Sequence, residues 1–593
     1  MAPIDRARRP RGLLHRVPTR RASGTRIGGT QPRSHPVRGI RLPRLVPTRC
    51  AGRTRARGLA GTCRAARGTA GSSGNVMSGT RLGKAALIVS GGILLSRLLG
   101  FLRTMTLAGI LGSTRAADLF QDAFTIPDIL FYLMAGGFLS ITFIPILARH
   151  MAAEDEREGW RSFTAVFRPV AITMTALTVI AMIAARPIVS TVFPRFTAAE
   201  LDELAHLMRI VFPAQIFFVL GSLFMAVQYA HKRFVIPILA PLVYNTVIIA
   251  GGLLAWQAGD TSAEGFIWGA LVGAAIGNFG LQWYGAHRLG LRWERNVPWN
   301  HPALKEYLLM ALPLMLGQSV AVLDEQFLKF FGQLAQAGST GLLAYARRIN
   351  MLPVGMIAQA AGVAAYPFLA SLFTEGRIRE FRQTVTRALR YGIFFGCAAT
   401  AAAVGAALPA IRIAYQRGRF GPEDTLVTAG LLALYALSIP FWAIHQIYAR
   451  AFYAQRRMWI PVGVGTAATA VAVPLYLWLF NIMNIRGLAL ASSLSIAVYA
   501  IALASIWHVR NGVDDLRPVL GTAWRSTVSG VAAGLSTWGV VRLITGGSVP
   551  GADLSLGALA AGALTVVLVY AGVARLLGTR ELTSLLRGRA RRR

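Results

Sequence analysis

Charge is what this sequence has least of for its size. Only 15% of its 593 residues are Asp, Glu, Lys or Arg, where soluble domains carry about a quarter. Acids are the scarcer sign, 25 against 62 Lys and Arg. A chain so poor in charge cannot clothe a large water-soluble surface, which excludes an ordinary soluble enzyme. Cysteine is nearly absent: Cys50, Cys63 and Cys397 give neither a disulfide framework nor metal-ligand spacing. Also missing are a glycine-rich phosphate loop of the P-loop type, a His or Cys cluster at metal spacing, and a nucleophile with a nearby base. No cofactor and no metal is expected, and neither catalysis nor ATP-driven transport has residues to support it.

What is present is apolar. Hydrophobic residues make up 54% of the chain and the mean hydropathy is +0.50. From Lys84 onward, apolar runs of roughly 18–30 residues follow one another, the length of a bilayer-crossing helix. Fourteen segments can be marked, numbered here helix 1 to helix 14: about 84–110, 116–150, 160–188, 203–230, 234–257, 264–287, 303–334, 338–373, 383–411, 424–454, 458–480, 484–508, 521–545 and 554–577. The fold class expected is an all-α polytopic membrane protein. Helices 2 and 8 are too long for one straight span and contain Pro127 and Pro145, and Pro353 and Pro367. Such helices bend and line cavities, where freed carbonyls find partners.

Residues 1–83 differ from the rest, with Asp5 as their one acid among many Arg, in runs such as RARRPRGLLHR and RTRARG. Lacking an apolar period, this tail cannot bury enough surface to offset its ordering entropy, so disorder is expected. It has no signal-peptide core or cleavage site. The favoured reading is a mis-assigned start, with Met77 standing just before the first membrane run. Binding to an anionic membrane surface is the second. Nucleic acid is not expected as a partner.

An internal repeat is visible. YAHKRFVIP at Tyr229–Pro237 matches YAQRRMWIP at Tyr453–Pro461, an offset of 224 residues, and PILA from Pro145 matches PFLA from Pro367 at 222. Two six-helix lobes pointing the same way follow, with a site between them. The expected domains are the tail (1–83), an N-lobe of helices 1–6 (84–287), a C-lobe of helices 7–12 (288–508), helices 13 and 14 (509–580) and a basic tail (581–593). Cations crowd the loops after even-numbered helices: Lys232 and Arg233, Arg288 and Arg292, Arg377 and Arg379, Arg456 and Arg457. Those loops, and both termini, are therefore expected in the cytoplasm.

Ionised side chains inside membrane helices are costly and face an aqueous cavity or a partner. Helix 1 reads SGGILLSRLLGFLR, with Arg97 and Arg103 six residues apart. They point roughly 120° apart and about 9 Å along the axis, so both can border one wide cavity. Helix 8 opens with YARRINMLP, giving Arg347 and Arg348 near a proline bend. Guanidinium forks suit phosphate or pyrophosphate, because planar donors pair with two oxygens and never lose charge. The competing reading is an anchor that snorkels or pairs with Asp118, Asp122 or Asp128 on helix 2. On helix 7, LDEQFLK places Glu325 and Lys329 at intrahelical pairing distance. Asp324 and Glu325 read equally as a self-neutralising cluster or as a proton or cation coupling site. Asp514 and Asp515, between helices 12 and 13, read as a solvated pair.

SRLLGFLR at Ser96–Arg103, AADLFQDAF and IPDIL in helix 2, ARRINMLPVG in helix 8 and RAFYAQRRMWIPV after helix 10, in that order and spacing, resemble the MurJ/MviN lipid II flippases of the MOP exporter superfamily. The resemblance runs from about Lys84 to the end. It implies alternating access that moves undecaprenyl-pyrophosphoryl disaccharide-pentapeptide outward across a bacterial inner membrane for peptidoglycan synthesis. Matching positions are Ser96, Arg97, Arg103, Asp118 and Arg348; the three arginines would hold pyrophosphate and sugar, and helices 13 and 14 would form a groove for the lipid tail. Membrane lipids and a cell-wall synthesis complex are the partners it suggests. This chain departs from the pattern with Thr125 and Phe131 where many members carry cations, with Arg347 in place of an acid, and with Met351 where an acid usually follows the helix 8 Arg. The sodium-site Asn and Asp of some members are not evident between Trp459 and Phe480. Another polyprenyl-linked glycan, such as an O-antigen or exopolysaccharide unit, stays open as cargo. So does a non-transporting cell-wall scaffold. A drug antiporter, which needs an acidic cavity, fits the arginines poorly.

Overall fold

Backbone amides placed in hydrocarbon must be paired within the chain, and the α-helix does this without a neighbour. The computed structural model describes residues 79–134, 139–152, 155–317, 319–512, 516–547, 549 and 551–584. The Arg-rich tail with its Met77 alternative, Asp514 and Asp515, and the end of the basic C-terminal tail lie outside the described residues, as does the side chain of Asp324. Among the described residues every regular element is a helix. Among the described residues eleven helices are long and apolar enough to cross a membrane, and they stand where eleven of the fourteen expected segments were marked.

The other three, helices 2, 7 and 8, are helical but in pieces. Helix 2 comprises Arg115–Ala123, Thr125–Met134 and Leu139–Ala152; helix 7, Pro302–Gly317 and Ser319–Gly332; helix 8, Ser339–Val354, a π segment Gly355–Gln359, and Ala360–Thr374. No piece reaches the roughly 20 residues of a straight span. Proline sets two of these breaks. Pro127 has no N–H to give the carbonyl of Ala123, where the first piece of helix 2 ends. Pro353 stands two residues before the π segment of helix 8.

Packing divides along the bundle. At the end carrying the loops after odd-numbered helices, one continuous apolar core draws on both lobes: Leu107 and Phe120 from the first, Leu343, Tyr415 and Phe420 from the second. At the even-loop end two separate cores replace it. One holds Phe143, Phe163 and Phe224 of the N-lobe; the other holds Phe381, Phe452 and Trp507 of the C-lobe, together with Tyr570 of helix 14. The lobes are thus fused at one end and individually packed at the other. Helix 7 divides between them. Its first piece, numbered with the C-lobe from sequence, places Ala303, Tyr307 and Ala311 in the N-lobe core, and Arg149 of helix 2 meets Glu306 at 2.6 Å.

Helix 13 (Leu516–Thr545) and helix 14 (Ala552–Leu576) lie against helix 9 (Ile378–Gly405). The Tyr570 hydroxyl donates to the Phe394 carbonyl at 2.6 Å. Just beyond helix 14, Glu581 is 3% exposed and takes Arg390 Nε at 2.5 Å and the Thr522 hydroxyl at 3.1 Å. The expected C-terminal tail therefore starts as part of the packed body.

The repeated motif folds identically in its two copies. Lys232 and Arg456, 224 residues apart, both take positive φ, 57° and 59°. In each copy the next N–H reaches five residues back: Arg233 to the Gln228 carbonyl at 2.8 Å, Arg457 to the Phe452 carbonyl at 2.9 Å. This is the left-handed C-terminal cap that glycine usually supplies. Here a cation fills it, accepting the backbone cost of the left-handed region and complementing the negative end of the helix dipole.

Candidate functional site

Helix 1 (Gly79–Leu111) and the first piece of helix 8 meet along the seam between the lobes. Each sends an arginine onto a glycine of the other. Arg97 Nη1 lies 2.2 Å from where a Cβ on Gly355 would stand, and Arg348 Nη2 lies 2.5 Å from where one on Gly100 would stand. Only a residue without a side chain leaves room for a guanidinium at that approach. Both glycines sit inside the motifs singled out from sequence, three residues after Arg97 and seven after Arg348, where they read as unremarked small residues.

Beside this seam is a cavity of about 200 Å³, lined among others by Arg103 of helix 1, Gln121 of helix 2, Glu325 and Lys329 of helix 7, and Arg347 and Arg348 of helix 8. Four cations face one acid there, and both lobes contribute. Arg97 lies outside the lining, at the helix 8 backbone; Ser96 is half-buried on helix 1, seven residues from Arg103 and so on nearly the same helical face. Lys329 pairs across the lobes, its Nζ 3.7 Å from Asp128 Oδ2 on helix 2. Sequence spacing pointed to Glu325, one turn away on its own helix. That cross-helix partner has no signature in either segment alone.

Asp118 takes a different place from the arginines. It is 1% exposed, and its carboxylate accepts the backbone N–H of Gly338 at 2.5 Å and of Gly341 at 2.9 Å. Helix 8 starts at Ser339, so Asp118 caps it from another helix and meets the positive end of its dipole. Arg115 Nη1 stands 3.5 Å from the same carboxylate, and Arg115 Nε pairs with Glu200 at 2.6 Å. The joint continues around the odd-loop end. The Arg419 N–H donates to the Gly109 carbonyl at 2.9 Å, the Tyr345 hydroxyl to Gly112 at 3.2 Å, and Gln333 to Val192 at 2.9 Å. Glycines permit this backbone-on-backbone approach. A Cβ on Gly338 would stand 1.7 Å from the Ser113 carbonyl oxygen, and one on Gly418 would stand 2.2 Å from that of Gly109.

Two lobes fused at one end, broken helices at their seam and a cationic chamber between them give the chain the fold of a two-lobed membrane transporter. A solved lipid II flippase MurJ in an inward closed conformation superposes with a TM-score of 0.67 at 20% identity, over 83% of this chain and 99% of that one. An inward-facing multidrug resistance MATE family transporter of the MOP superfamily gives 0.60 at 14%, over 72% and 98%. The sequence model of the lipid II flippase MurJ family matches residues 107–550, and this chain belongs to that family. Among curated relatives, a probable lipid II flippase MurJ of Rhizobium meliloti (strain 1021) is 27% identical over 435 residues, 72% of this chain and 81% of the relative. One of Bdellovibrio bacteriovorus is 23% identical over 508 residues, 85% and 96%.

Proposed function

We propose that this protein moves lipid II across the bacterial inner membrane by alternating access, headgroup through the bundle and polyprenyl chain in lipid. The observation that carries this reading is the cavity with Arg103, Arg347, Arg348 and Lys329 at the seam of the lobes. A diphosphate crossing hydrocarbon alone faces a Born cost of tens of kcal/mol. Guanidinium and ammonium groups at the crossing point offset that cost through charge-assisted hydrogen bonds while no bond is made or broken. At about 200 Å³ the chamber is small beside the roughly 300–1,000 Å³ of ordinary ligand sites. In this state it suits the diphosphate rather than the whole headgroup, and loading calls for the lobes to part.

With the cation-rich even loops in the cytoplasm, both termini lie inside and the fused odd-loop end faces outward, the arrangement of a loading state. Arg103 and Arg348 bind the anion and Arg347 borders it; Arg97 and Ser96, outside the lining in this state, join them as the lobes part, Asp118 holds the outer joint, and helices 13 and 14 guide the lipid tail. Asp324 and Glu325 are the candidate coupling carboxylates. The membrane potential supplies a further drive of roughly 2.3 kcal/mol per charge per 100 mV.

The test is complementation of a bacterium depleted of its own lipid II flippase, using the full chain and one beginning at Met77. Growth is expected with the unchanged protein and lost with Arg103→Ala or Arg348→Ala, at equal amounts of membrane-inserted protein. Lysis despite well-inserted unchanged protein rejects lipid II as the cargo and points to another polyprenyl-linked glycan or to a scaffold. Growth with both variants rejects the site.

A further inference from the structure

Lys329 belongs to no motif of the helix 1 and helix 8 seam, yet it lines the same chamber as Arg103, Arg347 and Arg348. Its side chain is 7% exposed, and its ammonium is 3.7 Å from Asp128 Oδ2. That is beyond the 2.7–3.2 Å of a good hydrogen bond, so the pair is held mainly by charge. Asp128, at 30% side-chain exposure, lies on the second piece of helix 2, in the N-lobe, and Lys329 on the second piece of helix 7. Glu325 lines the chamber one turn before Lys329, so two carboxylates compete for one flexible ammonium.

A diphosphate ester arriving among the arginines brings two negative charges where Asp128 offers one. At equal distance its pull on the ammonium is about twice as strong. The four-carbon stem of lysine lets its three donors follow the stronger charge, which a planar guanidinium fork does less readily.

We propose that Lys329 is a ligand of the substrate diphosphate held in reserve by Asp128: in the empty chamber it ties helix 2 to helix 7, and on loading it transfers to a phosphate oxygen and releases that tie. This rests on the diphosphate cargo proposed above. Loading then loosens one contact between the lobes by the same exchange that strengthens binding.

The experiment measures binding of undecaprenyl pyrophosphate to the full-length protein in nanodiscs of neutral phosphatidylcholine. Asp128→Asn is expected to bind several-fold more tightly than the unchanged protein, because the ammonium loses Asp128 as a competing partner. The paired neutral variant Lys329→Met/Asp128→Asn leaves no unpartnered charge from this pair, so it keeps the fold, and should bind roughly tenfold more weakly. Lys329→Arg is expected to restore most of the affinity. If the paired variant binds like the unchanged protein while Arg348→Ala fails to bind, Lys329 is structural and this inference falls alone. Weakened binding by Asp128→Asn also overturns it. If the unchanged protein does not bind undecaprenyl pyrophosphate, the cargo reading falls and takes this one with it.

Discussion

Alanine at Gly100 or Gly355 separates the seat of an arginine from the stability of the fold. At Gly100 the new methyl would stand 2.5 Å from Arg348 Nη2, and at Gly355 it would stand 2.2 Å from Arg97 Nη1. Comfortable contact is about 3.5 Å, so each guanidinium must retreat by roughly 1 Å. The obstacle is the far end of a flexible side chain, so the backbone has no cause to move. The helix itself gains about 0.5–1 kcal/mol from losing a glycine. Displacement of 1 Å breaks the 2.7–2.9 Å geometry of a charge-assisted hydrogen bond. Losing one such bond costs roughly 1.5–3 kcal/mol, or about ten- to a hundredfold in affinity. Both variants should therefore melt at or above the temperature of the unchanged protein while binding undecaprenyl pyrophosphate at least about tenfold more weakly. Gly91→Ala, also in helix 1 but with nothing within 4 Å of its new methyl, serves as the control and should bind normally. Wild-type affinity in both seam variants would refute the claim that the arginines act from these glycine seats.

Three further outcomes are expected. Gly338→Ala and Gly418→Ala put a methyl 1.7 Å and 2.2 Å from carbonyl oxygens of the opposite lobe, at φ of 88° and 56°. Closure of the odd-loop end should become the minor state, read as longer distances between spin labels on the loops after helices 1 and 7. Glu581→Gln removes the buried charge that faces half-buried Arg390 and should lower stability by about 1.5–3 kcal/mol. Thermal unfolding checks it, with undecaprenyl pyrophosphate affinity at low temperature unchanged. Lys232→Gly and Arg456→Gly relieve the same left-handed residue at the cost of the same dipole interaction, worth about 1 kcal/mol each way. Their melting shifts should be small, of one sign and of similar size; opposite signs would count against duplication.

Much of the fold was legible because lipid enforces a simple code: apolar runs become helices, and Pro127 ends one where its missing N–H falls. Repetition of a cationic turn was equally readable, and its two copies share one backbone geometry. Spacing along a helix, however, carries no information about what stands across from it. Lys329 is spaced for a pair with Glu325, and its contact with Asp128 at 3.7 Å is one that spacing does not show. Asp118 was grouped with the arginines by motif, whereas its oxygens cap helix 8. Helix 7 was assigned to one lobe by its order in the chain, but its apolar face is shared between the two. Gly100 and Gly355 stood inside the quoted motifs, and their purpose became visible only with the guanidinium lying on each.

The twinned turns at Lys232 and Arg456 bear on how such a chain enters a membrane. Each half carries its own positively charged stop at the same point of its last third, so neither depends on the other for the side on which it settles. Biogenesis can then proceed as two self-orienting insertions in succession, with the seam between them sealed afterwards.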